Sequence, residues 1–362
     1  MMGQAVKQAV TNKSGVAIII TIMMITLLTA VVFELNRRVR VGIDDAAVFK
    51  TRANLSAMAA SGIDMCKAVL IKDKTETEID SIQEPWADEV HLAAVVKDFP
   101  FDRGELTISI SDLLGRIQVN ALVQYPGGKQ FNEPQKVMWY RLLQMVNMGA
   151  EGPETAIEPV SIINAVKDWL DYEDDDAITG LEGAESSYYR DLDPPYTCRN
   201  GPVIDVSELV LVKGLSPQLF NMIGELYGVS SWVTTAGMTE AADGTGFTFS
   251  GAININTAPV FVLSALLPLE DNYLAVEISD FRQEMSNGNY VHDLSSPTWY
   301  RSVHGCSELT IDANLTTTAS DIFQIKARAK FEETAVSTTA VVKREKDEET
   351  GKWRCRVLKW RS

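Results

Sequence analysis

The sequence predicts an α+β protein in which a long N-terminal helix and an antiparallel sheet frame a large all-α domain inserted between the strands. Three observations carry this expectation. An apolar run from Val16 to Phe33 passes without a break into a helical stripe that reaches about Ile71. Strand-like alternation occurs near residue 105 and returns only after residue 320. The stretch between, 121–319, is mostly helical in texture.

The N-terminal segment MMGQAVKQAVTNKSG carries Lys7 and Lys13 and no acid. The run VAIIITIMMITLLTAVVF follows, with threonine as its only polar residue. As a helix it is roughly 27 Å long, close to the ~30 Å hydrocarbon core of a bilayer. A secretory signal has a shorter core with a small-residue cleavage site after it. Here the small residue, Gly15, lies before the core, so a cut there leaves the hydrophobic helix on the mature protein. The arrangement is similar to type IV prepilin leaders, which are cut after glycine by a membrane peptidase. An uncut signal anchor is the alternative; a conventional signal peptide lacks an A-x-A site after Phe33. Arg37, Arg38 and Arg40 follow the run, so the positive-inside rule alone does not set the orientation. One span is expected over 16–33, with the short N-terminal side in the cytoplasm.

Beyond the span, Leu55, Met58, Ala59, Gly62, Cys66 and Val69 recur at spacings of three and four. No proline interrupts before Pro85, and a helix from Val16 to about Ile71 is roughly 80 Å long. Half of it would lie in lipid and half against a globular head. Glu105–Ser111 and Arg116–Asn120 read as two short strands turned at Gly115. Pro134–Met148, Ser161–Leu170 and Ala275–Glu284 read as helices. Phe323–Phe331, Thr334–Lys343 and Trp353–Trp360 have the alternation of an antiparallel sheet. The expected division is therefore a leader at 1–15, a membrane segment at 16–33, a head in two parts at 34–120 and 320–362, and the insert at 121–319.

A formal charge of −16 opposes phosphate-backbone binding; it fits a solvated extracytoplasmic protein and also fits divalent cation binding. Between Asp168 and Asp193 stand ten acidic residues against the single base Arg190. Oxygen ligands crowded in a glycine-containing loop suit Ca2+, with Asp171, Asp174, Asp176, Glu182 and Glu185 as candidate ligands. The spacing is not that of an EF-hand, so a solvated acidic loop is the competing reading. Cys66, Cys198, Cys306 and Cys355 have no CxxC spacing, which leaves zinc unsupported. A disulfide between Cys198 and Cys306 is one expectation, since both fall in the insert; four buried thiols are the other.

Two segments, VSELVLVKGLSPQLFNMI and ININTAPVFVLSALLP, read as helical hairpins, with Ser216 and Thr257 as caps and Pro217 and Pro259 in first turns. Such hairpins often bind DNA, which makes a membrane-anchored DNA-uptake protein the alternative function. The negative charge favours packing and no nucleic-acid partner. His91, His292 and His304 are too scattered for a triad, and no phosphate or dinucleotide fingerprint occurs. Nothing in the residues indicates an enzyme.

Taken together, GVAII, ISISDLLGRIQVNAL, AVKDWLDYEDDD, GAESSYY, DPPY, VSELVLVKG and ININTAPVFVLSAL, in this order, resemble the minor pseudopilin K family of bacterial type II secretion systems. The resemblance runs nearly end to end. It implies a pilin-like head carrying a helical insert, cleavage after Gly15 by prepilin peptidase, and N-methylation of Val16. It also implies an inner-membrane subunit with a large periplasmic part, calcium at the acidic loop, and the minor pseudopilins I and J among other pseudopilins as partners. Counting from Val16, the fifth residue is Ile20, where most pilins have glutamate. The family shares this lack. Isoleucine cannot pair with the amino terminus of a neighbour, which suits a subunit at the filament tip that helps start assembly and supports export.

Overall fold

The computed structural model describes residues 13–99, 101, 103–148, 157–173, 178–221, 229–241, 244 and 246–362. Helix α1 (Lys13–Glu76) is one uninterrupted rod of 64 residues, and Val16–Phe33 are almost wholly exposed along it. The hydroxyls of Thr21, Thr26 and Thr29 bond back to the carbonyls of Ala17, Met23 and Ile25 at 2.7–2.9 Å. The run's only polar side chains are thus satisfied within the helix, as a lipid environment demands. An 18-residue window there has a mean hydropathy of 2.8, and the helix is long and apolar enough to cross a membrane.

The distal half of α1 buries Leu55, Met58, Ala59, Ile63, Cys66 and Leu70. The stripe matches the expected periodicity, with Val69 half-buried against the same core and Ile63 and Leu70 added to it. Gly62 is required by close approach: a Cβ there would lie 2.9 Å from Ile108 and 3.2 Å from Ala327. A second helix, α2 (Glu89–Asp98), was not expected from the sequence. Asp88 caps it by accepting from Val90 N at 2.9 Å, and Leu92 anchors it.

Strand β1 (Glu105–Asp112) follows, and then the chain leaves the head. In the insert come β2 (Ile117–Gln118), α3 (Glu133–Met148), α4 (Pro159–Leu170), α5 (Ser186–Arg190) and α6 (Pro217–Asn221). Next are β3 (Val233–Thr234), β4 (Met238–Glu240), β5 (Phe247–Phe249), β6 (Ile253–Asn254), α7 (Val260–Leu266) and α8 (Leu274–Gln283). The insert closes with β7 (Met285–Ser286), β8 (Asn289–Tyr290) and β9 (Thr316–Thr317). The chain then returns through β10 (Ile322–Phe331), β11 (Thr334–Lys346) and β12 (Trp353–Arg361). The head sheet is antiparallel with order β1-β10-β11-β12, Asp112 standing opposite Phe323.

Three expectations are corrected. The segment Arg116–Asn120 is not a head strand: β2 pairs in parallel with β3, inside the insert. The head therefore ends at Asp112 and resumes at Ile322, rather than at 120 and 320. The insert is not all-α either, since β2–β3, β4–β5, β6–β9 and β7–β8 are short pairs within it. Lastly, 206–211 is a 3-10 turn and β6 precedes α7, so neither proposed hairpin has two helices. Ser216 does cap α6, accepting from Leu219 N at 3.2 Å. Thr257 does not cap α7; its hydroxyl donates to Asp112 Oδ2 at 2.7 Å.

Two cores result. One lies between α1 and the inner face of the sheet, with Ile108, Phe323, Ile325 and Val342. The other fills the insert with Trp139, Leu142, Ile163, Trp169 and Leu263. Between them runs a buried polar network. Asp112 accepts from Leu114 N, Asn254 Nδ2, Thr257 Oγ1 and Ser320 Oγ at 2.5–2.8 Å. Asp80 accepts from Ser320 N at 2.8 Å and from Arg344, whose other arm reaches Asp73 Oδ2 at 3.0 Å and Leu70 O at 3.1 Å. Arg344 projects from β11 into the head and is 2% exposed. Its guanidinium meets the C-terminal end of α1, so the head–insert junction is at the end of the helix away from the membrane segment.

Burial, reinforced by Glu84 and Asp80, pushes Asp73 up to about 7 despite Arg344. Burial likewise pushes Asp80 up to about 6 against the pull of Arg344. A carboxyl raised on folding holds a proton more tightly in the native state. The stability it contributes is full below about pH 4 and is lost as pH rises through about 6–7. The unfolding midpoint of the full chain in detergent should fall between pH 5 and pH 8, and Asp73→Asn should flatten that fall. Identical slopes for the two proteins would contradict the assignment.

Candidate functional site

Helix α4 begins at Pro159, whose ring suits a first helical turn. Ile162, Ile163, Val166 and Trp169 hold its apolar side in the insert core. Asp168 therefore comes to lie inside, fully buried, and Asp171 stands one turn on at the helix's C-terminal cap, 2% exposed. The loop that follows closes over Asp168, whose carboxylate accepts from Thr179 N at 3.1 Å and Ala184 N at 2.8 Å. Gly183 is forced by this closure, because a Cβ would stand 2.1 Å from Asp168 Oδ2. Cys198 pins the same turn, its thiol donating to Asp168 O at 3.3 Å and its N–H to Ser186 Oγ at 3.1 Å.

Glu185, at the start of α5, is buried against the other two acids. One carboxylate oxygen each from Asp168, Asp171 and Glu185 lies within 4.8 Å of the others. Such a group is stable only with positive charge beside it. Lys167 supplies some: its ammonium lies 2.6 Å from Asp171 Oδ2 and 4.0 Å from Asp168 Oδ1. Burial raises the Asp171 carboxyl above the usual carboxylate range, Lys167 opposes that, and Asp168 adds to it. Asp171 Oδ1 is buried and accepts no hydrogen bond among the described residues. A buried, unsatisfied carboxylate oxygen beside two more carboxylates fits a hard divalent cation such as Ca2+.

Of the candidate ligands read from the sequence, Asp171 and Glu185 are brought together. Glu182 is not: its side chain is exposed, and its carbonyl accepts from Lys213 Nζ at 3.0 Å. Asp174 and Asp176 lie outside the described residues. Sequence reasoning missed Asp168. Its signal was the i, i+3 spacing to Asp171, which puts two acids on one helix face. The expected Cys198–Cys306 disulfide is absent, and all four cysteines are buried free thiols. Cys198 is engaged with α4, whereas Cys306 sits near Asp271 and Glu277. Burial raises both thiols, Cys198 up to about 12, which keeps them protonated.

At the other end of the chain, α1 is already helical at Gly15, and nothing lies within 4 Å of a Cβ built there. Val16 and Ile20 are 58% and 53% exposed, an apolar start with no acidic group on the first turns.

Comparison with known proteins gives one consistent picture. A family model described as type II secretion system (T2SS), protein K matches residues 115–226, the part that holds the acidic site. The chain is 24% identical over 215 residues to type II secretion system protein K of Aeromonas hydrophila, covering 58% of this chain and 61% of that one. It is 28% identical over 268 residues to the protein of that name from Pseudomonas aeruginosa, covering 72% and 69%. The match thus spans less than two thirds of the Aeromonas relative. A chain in the crystal structure of the GspK-GspI-GspJ complex from the enterotoxigenic Escherichia coli type 2 secretion system shares the fold. The TM-score is 0.59 over 86% of this chain and 96% of that chain, at 15% identity.

Proposed function

The chain belongs to the type II secretion system protein K family, and we propose that it is a minor pseudopilin that caps the tip of a pseudopilus, helps start its assembly and supports export across the outer membrane. The single observation that carries the tip reading is the position of the insert. The junction built on Asp112, Asp80 and Arg344 lies at the end of α1 opposite its apolar run, so the body of 113–321 crowns the head. A subunit stacked above would meet that body instead of a bare head. Ile20 supports the same reading, since it offers no charge for the amino terminus of a subunit above. The role is structural rather than enzymatic, in the inner membrane with the head and insert in the periplasm. Its partners in this reading are minor pseudopilins I and J, the other pseudopilins and the prepilin peptidase.

Asp112 and Phe323 are cross-strand neighbours, so a short hairpin turn can replace 113–321 without moving either strand. A cell carrying that replacement should make abnormally long pseudopili or none, and should export poorly. Normal filaments with normal export would sink the tip reading, provided the shortened chain accumulates in the membrane.

Processing is read from Gly15 and Val16. The small residue precedes the apolar run, and Val16, Ile18, Ile19 and Ile20 expose apolar side chains to a membrane enzyme. Mass spectrometry of the mature protein should find a methylated N-terminal Val16. An intact leader, or a cut beyond Phe33, would rule pilin-type processing out.

Calcium is the cation that best suits the acidic site, with Asp168, Asp171 and Glu185 as its carboxylate ligands. It would bring two positive charges to three buried acids, two of which Lys167 now faces, and Lys167 would swing away from Asp171. Ca2+ at about a hundredfold above its Kd stabilises the bound state by about 2.7 kcal/mol. That is a rise in unfolding midpoint of roughly 4 °C for the detergent-solubilised chain relative to chelator. Asp171→Asn and Glu185→Gln should each shrink the rise. An equal midpoint with Ca2+ and with chelator in the unmodified protein would refute the site.

A further inference from the structure

We propose that the outer face of the head sheet is a basic docking surface for an acidic face of the neighbouring subunit in the tip complex; this rests on the tip reading above. The inner face of the sheet is covered by α1. On the outer face, the central strand β10 carries Lys326, Arg328 and Lys330 at alternate positions, all exposed. Successive same-face residues on a strand are about 7 Å apart, so three like charges in a row repel unless a counter-charge stands beside them. The register shows what flanks them. Lys326 lies between Ser109 and Thr339, and Arg328 between Thr107 and Ser337. Lys330 lies between Glu105 and Ala335. Hydroxyls and a methyl group thus occupy five of the six flanking positions. Among the described residues, none of the three bases takes part in an ion pair.

The other bases on this face are already balanced. Arg354 and Arg356 share Glu345, Lys343 stands 3.5 Å from Asp321, and Lys359 and Arg361 both grip Asp205 of the insert. Glu105 faces Lys330, so the uncompensated charge is centred on Lys326 and Arg328. In a chain of net charge −16, Lys326 and Arg328 gain a counter-charge only if a partner supplies it. At its insert end the face opens into a groove of about 700 Å3, where Val341, Leu358, Phe249 and Met238 form apolar walls. An apolar anchor beside a basic surface is the form of a specific protein contact.

Position selects the occupant. The first helix residue buried by the head is Leu55, and the apolar run ends at Phe33. The 22 helical steps from Phe33 to Leu55 put the head about 33 Å beyond the bilayer edge along a straight helix, several Debye lengths from any anionic lipid. Nucleic acid is opposed by the chain's net charge. The face is lateral, on the side of the sheet away from α1, where a subunit alongside in the complex would lie.

The test is to co-express the full chain, affinity-tagged, with minor pseudopilins I and J and to recover the complex in detergent at about 50 mM and 500 mM salt. The expected result is recovery that falls with salt, and a loss of about tenfold or more with Lys326→Glu, Arg328→Glu and Lys330→Glu combined. The milder triple replacement by Gln should lie between, with its unfolding midpoint unchanged because the side chains are exposed, while the Glu triple loses a little where Lys330→Glu faces Glu105. Undiminished recovery with the Glu triple would overturn the docking surface and leave the tip reading standing. No recovery with the unmodified chain would overturn the tip reading itself. Binding of the unmodified chain to duplex DNA, lost in the Glu triple while I and J are still recovered, would overturn the protein-partner assignment.

Discussion

The rest of the structure depends on the solvation of one buried carboxylate by protein. Asp112 is the last residue of β1, and burial raises its carboxyl above the usual carboxylate range. Water is replaced there by Leu114 N on the departing chain, Asn254 and Thr257 from within the insert, and Ser320 on the returning chain. Asn254 reaches Asp80 O at 2.9 Å with the same amide, and Asp80 joins Arg344 and Asp73. The four donors come from three separate segments, so the network forms only when the head, the insert and the end of α1 are assembled together. Removing one member of such a set costs far more than the set contributes over an apolar replacement, because the remaining charges stay buried. The network's value is therefore in fixing one arrangement of two bodies rather than in net stability.

This clamp gives the proposed tip role its physical basis. A cap works only if it cannot swing aside from the filament axis. Asp205 gripping Lys359 and Arg361, Gln83 donating to Arg282 O and Tyr290 donating to Ile82 O add further ties between the two bodies. The acidic site is set apart from them, in the insert's own core beneath α4. Its three acids shape a loop, whereas the Asp112 network shapes the molecule.

Much of this was legible in the sequence because it follows from local periodicity. The α1 stripe, β1 and the three C-terminal strands depend on which residues recur at three, four or two, and the core needed only that. What was illegible depended on partners distant in the chain. Ile117–Gln118 alternates like a head strand, but nothing local says that it pairs with Val233–Thr234. Thr257 has the residue type and position of a helix cap, yet a carboxylate 145 residues away captures its hydroxyl. At the acidic site, charge density identified the loop and two of its three acids. It could not find Asp168, because the acid that organises the loop sits in the helix before it. The small size of α2, ten residues anchored chiefly by Leu92, left too little pattern to read.

In the proposed role this subunit stands at one end of the pseudopilus with its insert outermost. Immunogold labelling of isolated pseudopili with an antibody against the insert tests it most directly. Gold is expected at a single end of each filament and none along the shaft. Label distributed along the shaft would contradict it.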